Sequence, residues 1–129
     1  MTNSQSNFNF AEEFRQRTKA FALRIMKLVD NLPTTTSSRA AAAQLVRSGT
    51  SVAANYRAAC RARSNREFAA KLHIALEEAD ESVLWLELLN ENGVLPAGRL
   101  DDLLAEAKAL MAILGKAEKT AREKVRKDI

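Results

Sequence analysis

Four arginines crowd residues 51–68, SVAANYRAACRARSNREF: Arg57, Arg61, Arg63 and Arg66, with no acid before Glu67. A guanidinium is a planar fork that binds phosphate or carboxylate through two parallel hydrogen bonds. Such a run therefore contacts a polyanion or pairs with carboxylates of this chain or a second copy. His73, Glu77 and Asp80 share a helix face at i, i+4 and i+7 and are metal-ligand types. A structural zinc wants four ligands, usually cysteine and histidine, and a di-iron bundle wants Glu-x-x-His on two helices. The chain has one histidine, preceded at that spacing by Ala70, so no metal or other cofactor is expected. Cys60 is the one cysteine and has no histidine on its own helix, which reads as a structural thiol. A Gly-rich phosphate loop, a G-x-S-x-G and a C-x-x-C are all missing from the sequence. With no catalytic constellation, a non-enzymatic protein is expected.

The charge falls in blocks. Residues 33–66 hold six arginines (39, 47, 57, 61, 63, 66) and no acid. Residues 67–91 hold seven acids and only Lys71, and residues 116–129 hold six bases against three acids. Net charge over the 129 residues is +4. Blocks of opposite sign suit a polyanion partner or self-complementary assembly. No apolar run reaches the ~20 residues needed to cross a bilayer. The polar start MTNSQSNFNF lacks the pattern of a secretory signal. A single cysteine cannot form an intrachain disulfide, so the expected location is cytoplasmic.

Helices must position these groups. The chain has 4 Gly and 2 Pro, and Ala, Leu, Lys, Arg and Glu dominate it. Phe10, Phe14, Thr18, Phe21, Ile25, Leu28 and Leu32 recur at spacings of four and three, which predicts a first helix over 10–32. Pro33 and the Thr/Ser cluster stop it, and residues 1–7 are expected to be disordered. A second helix is expected over 38–62, with Leu45, Gly49, Val52, Tyr56 and Cys60 as its stripe. The S-N-R-E of residues 64–67 reads as a capping box for a third helix over 65–90. That helix has Phe68, Leu72, Ala75, Ala79, Val83 and Leu86 on one face. Asn92-Gly93 and Pro96 end it, and a fourth helix is expected over 97–127. Its stripe is Leu100, Leu103, Leu104, Ala107, Leu110, Met111 and Leu114. One all-α domain, an antiparallel up-and-down four-helix bundle, follows from these lengths and short connections.

Two of the helices carry more than a core face. At about 100° per residue, Arg39, Arg47, Arg57 and Arg61 fall within roughly 80° of one another, beside the apolar stripe. On the third helix, Ile74, Leu84, Trp85 and Leu88 are expected opposite the core, with Glu78 and Glu81 among them. An apolar patch with a tryptophan and embedded carboxylates reads as a subunit interface. Its carboxylates need cations, and Arg47 is the expected partner of Glu81, within or between chains.

Three stretches resemble the four helix bundle protein family: QLVRSGTSVAAN (44–55), RxRSxxEF (61–68) and LHIAxxxAxE (72–81). That family includes proteins encoded by intervening sequences in bacterial large-subunit rRNA genes. More distantly similar are the accessory variability proteins of diversity-generating retroelements. The resemblance spans nearly the whole chain. It implies an up-and-down bundle, a ring that is commonly a homopentamer, and a non-enzymatic role with nucleic-acid association. By position, Arg47, Ser48, Ser51 and Asn55 match its second-helix motif. Arg63, Ser64 and Phe68 match the junction and Glu81 matches the third-helix acid. Many members read asparagine-x-x-glutamate-glycine here, whereas this chain has Tyr56, Arg57, Ala58 and Ala59 after Asn55.

The expected function is thus a homo-oligomer whose basic surface binds RNA or DNA with little sequence selectivity. Arg57, Arg61, Arg63 and Arg66 are the expected contacts. They are placed at the end of the bundle that holds the N-termini of the first and fourth helices, away from the basic tail. Aromatic residues are 5% of the chain, which argues against single-strand stacking platforms and against base-specific readout. The alternative is an adaptor ring whose arginines serve assembly and whose surface meets a protein such as a reverse transcriptase.

Overall fold

Local signals set the ends of the helices. Thr35, in extended backbone, accepts a hydrogen bond from Ser38 N at 3.2 Å and opens the second helix. Ser64 does the same for the third, accepting from Glu67 N at 3.0 Å. The return half of that capping box is displaced by one residue. Glu67 Oε2 accepts from Arg63 N at 3.4 Å rather than from the cap residue. Gly93 and Gly98 sit at φ 71° and 83° in the connection to the fourth helix. Left-handed backbone lets the chain stop at Asn92 and turn back, which a side chain would resist.

The structure, a computed structural model, describes residues 3–128, with side chains from Asn9 onward. It contains α1 (Asn3–Asp30), α2 (Thr36–Cys60), α3 (Asn65–Glu91) and α4 (Asp101–Lys127), and no strand among the described residues. α1 begins seven residues before the expected start and takes in residues 3–7, expected to be disordered; residues 1 and 2 lie outside the described residues. α2 starts and ends two residues early. α4 starts four residues late, because Gly98 holds residues 97–100 in a turn.

α2 packs along both α1 and α3, and α3 along α4, while α1 and α4 meet only sparsely. The bundle closes around Phe21, Ile25, Leu45, Leu72, Leu86, Leu110 and Leu114, all fully buried. Each falls in the stripe the spacing predicts. Phe10 does not. It is 50% exposed, because it lines the open groove with Ile113 and Lys116 of α4, where α1 and α4 meet only sparsely. Among the described residues no helix is long and apolar enough to cross a membrane.

The R-S-G stretch of α2 distributes three adjacent residues to different neighbours. Arg47 reaches the acids of α3. Ser48, completely buried, accepts a 2.9 Å hydrogen bond from Ser82 Oγ of α3. Gly49 lies against Ile25 of α1, where an added Cβ would come within 2.9 Å of Ile25 Cγ1. Consecutive helix residues point about 100° apart, so three neighbours in sequence can serve three directions.

Candidate nucleic-acid interface

Arg57, Arg61, Arg63 and Arg66 are all exposed, spread over the last turn of α2, the connection after it and the first turn of α3. Arg63 approaches Glu67 at 3.8 Å but remains 91% exposed. Arg39, Arg57, Arg61 and Arg66 stand in no ion pair among the described residues. Long cations without carboxylates keep their full charge for an external anion.

The surroundings of this end differ from the expectation. In an up-and-down bundle the α2–α3 turn shares its end with the N-terminus of α1 and the C-terminus of α4, not its N-terminus. Asn65 Nδ2 donates to Asp128 Oδ2 at 2.9 Å, which joins the start of α3 to the end of α4. The basic tail therefore lies at the arginine-rich end, adding Lys124, Arg126 and Lys127, all exposed. Lys124 shares a groove with Arg63 and Ser64.

Arg47 has a different task. Its Nη1 donates to Glu78 Oε2 at 2.7 Å and its Nη2 lies against Glu81 Oε2 of the same chain. The arginine bridges two carboxylates one turn apart on α3, and the expected Arg47–Glu81 pair is made within one bundle. Glu78 is mostly covered and Glu81 partly so. Next to them, Ile74, Leu84 and Leu88 are 38%, 49% and 45% exposed. Trp85, expected to stand out with them, is half-buried against the core, and its indole N–H is buried with no acceptor. Its position on the helix, beside the α2 contact made by Glu78 and Ser82, turns the ring inward. The outward face of α3 is thus aliphatic and acidic, with Glu77, Asp80 and Glu87 around Leu84.

The His73, Glu77 and Asp80 face does not form a cluster either. His73 Nδ1 donates to Glu118 Oε1 of α4 at 2.7 Å, while Glu77 lies 3.5 Å from its Nε2. Glu118 is buried and also takes Arg122 Nη2 at 2.7 Å. Both groups converge on one carboxylate oxygen, and among the described residues no group of ligand side chains has metal-site geometry. The sequence reading missed Glu118 and Arg122, because only the α3–α4 register brings His73 to them.

One fork holds the α1–α4 seam. Arg17 Nε and Nη2 donate to Glu106 Oε2 and Oε1 at 2.8 and 2.7 Å. The guanidinium holds the Glu106 carboxyl below the usual carboxylate range. Toward the arginine-rich end, a groove of about 1170 Å3 opens, walled by Phe10, Tyr56, Phe68 and Ile113. Burial beside Cys60 pushes the Tyr56 hydroxyl well above its ordinary value, so it stays neutral.

Residues 12–116 match the family model of the 23S rRNA-intervening sequence protein. The chain is also similar to a protein of unknown function from the S23 ribosomal protein family of Bacteroides thetaiotaomicron, known from a crystal structure. The two share 31% identity at a TM-score of 0.75, over 84% of this chain and 97% of that one. Among curated proteins, none matches the chain.

Proposed function

The chain belongs to the 23S rRNA-intervening sequence protein family, and from that premise we propose that it is a non-enzymatic, self-associating bundle that binds nucleic acid through its arginine-rich end. The observation that carries this reading is the gathering of free cations there. Arg57, Arg61 and Arg66 have no carboxylate partner among the described residues, and the end of α4 adds Lys124, Arg126 and Lys127. Such cations displace the counterions condensed on a nucleic acid's phosphates, so affinity comes from charge count and carries little sequence information. Assembly would repeat the basic end around a ring and multiply its field. Support for assembly comes from the aliphatic, acidic outer face of α3, since a monomer gains nothing by exposing Ile74, Leu84 and Leu88 together. A ring of five, as the resemblance implies, would have five times the 14.2 kDa chain mass by light scattering.

The experiment is a salt titration of RNA and DNA binding for the wild type and for the combined Arg61→Ala, Arg63→Ala and Arg66→Ala variant. The variant is expected to bind all sequences more weakly and to flatten the salt dependence by about one unit of log–log slope per lost phosphate contact. Its oligomeric mass should be unchanged. A variant that dissociates, with nucleic-acid binding as before, would replace this reading with the adaptor, in which the arginines serve assembly and a protein partner.

A further inference from the structure

Near the arginine-rich end, one surface is neither core nor simple basic face. Phe10 stacks nearly parallel on Phe14, with ring centroids 5.8 Å apart and planes at 6°. Phe14 in turn meets Tyr56 edge-on at 4.7 Å. The inner members are buried, whereas Phe10 keeps half its surface exposed. An aromatic ladder thus starts in the core and ends with an open ring at the mouth of the groove between α1 and α4. Four cations line the same groove: Arg15 of α1, which is paired with Glu12, Arg63 from the α2–α3 turn, and Lys116 and Lys124 from α4. Its volume of about 1170 Å3 exceeds the roughly 300–1,000 Å3 of ordinary small-ligand pockets, and it is open to solvent.

We propose that this groove takes an unstacked nucleobase on the free face of Phe10, with the adjoining phosphates on Arg63, Lys116 and Lys124, so that the protein prefers single-stranded nucleic acid to duplex. The inference rests on the nucleic-acid reading above and adds the strand class to it. A planar ring extends the Phe10–Phe14 stack, and the cations complement a backbone rather than a neutral ligand. Every base has a stackable face, so the preference is for strand state and not for sequence. A paired base is already stacked and cannot enter, which sets duplex apart. A single stacking position needs one exposed aromatic, and the low aromatic content of the chain is sufficient for it.

The test uses the full chain, a short fluorescently labelled oligothymidylate and a labelled duplex of the same length, read by anisotropy. Wild-type protein should bind the single strand more tightly than the duplex. Phe10→Ser should weaken single-strand binding by about five- to tenfold, at the low end of the stacking range per base, and leave duplex binding as it was. Phe10→Trp should restore the preference. Lys116→Gln with Lys124→Gln should weaken both ligands. If wild type binds nucleic acid but Phe10→Ser changes neither ligand, the groove is not a base site, while the basic-end reading stands. If wild type binds neither ligand, both readings fail together. If Phe10→Ser shifts only the oligomeric mass, the groove is a contact with a second copy and the inference is overturned.

Discussion

Two glycines in helix interiors show how one substitution can have opposite signs. Alanine is a better helix former than glycine by about 1 kcal/mol. At Gly115 of α4 an added Cβ meets nothing within 4 Å. Gly115→Ala should therefore stabilise the protein by about 0.5–1 kcal/mol in urea unfolding. At Gly49 the Cβ would approach Ile25 Cγ1, Cγ2 and Cβ at 2.9–3.3 Å. These atoms sit at the stiff, branched base of the side chain and cannot swing aside. Overpacking of about 1–3 kcal/mol outweighs the propensity gain, so Gly49→Ala should destabilise by about 1–2 kcal/mol in the same measurement. Glu118 gives a similar contrast. Glu118→Ala removes the acceptor for His73 and Arg122 and leaves a gap, which should cost about 1–3 kcal/mol. Glu118→Met fills the same volume without a buried charge. Its donors can turn to water, since both are substantially exposed, so the cost by urea unfolding should be smaller.

Between elements, the α1–α4 seam depends on a fork rather than on packing. Glu106 has a lowered carboxyl pKa because of Arg17, so the folded state favours its ionised form. The stability from this pair is fully present above the unfolded carboxyl pKa, about 4.3, and is lost as pH falls through the lower folded value. Arg17→Met should therefore unfold more easily than wild type at neutral pH, by up to about 1 kcal/mol given that Arg17 is 43% exposed. The difference should shrink below about pH 4, and a gap that instead persists unchanged at low pH would place the effect in packing. The α2–α3 contact has its own test. Arg47→Met and Glu81→Gln should be non-additive in a double-mutant cycle, with a coupling of about 0.5–1 kcal/mol because Arg47 is 46% exposed. Additive effects would mean that Glu78 alone holds the arginine.

For the molecule as a whole, assembly is best probed where the side chain leaves the core undisturbed. Trp85 is half-buried against the core, so its removal would confuse unfolding with dissociation. Leu84 is 49% exposed and lies among Glu77, Asp80 and Glu87. Leu84→Arg should reduce the mass seen by light scattering while leaving the helical circular dichroism and the melting cooperativity intact. An unchanged mass would show that the outer face of α3 is not a subunit contact. The fold was legible to this depth because periodicity reports burial directly. Of the seven stripe positions on α1, six are buried or packed on the core and only Phe10 is exposed, and the caps at Thr35 and Ser64 are local interactions.

By itself the sequence determined the four helices, their caps and stops, their core stripes and the separation of charge into blocks. These follow from interactions within a few residues and from a fixed rotation per residue. Only the tertiary structure decided what meets what. It joined the end of α4 to the start of α3 through Asn65 and Asp128, and gave the Nδ1 of His73 to Glu118 across the bundle. It also turned Trp85 inward and left Phe10 open at a seam that the stripe pattern would have closed. The physical reason is register. The hydrophobic stripe fixes which face of a helix turns inward. How far each helix slides along its neighbours is set by the connection lengths and by residue-sized fits such as Gly49 on Ile25 and Ser48 on Ser82.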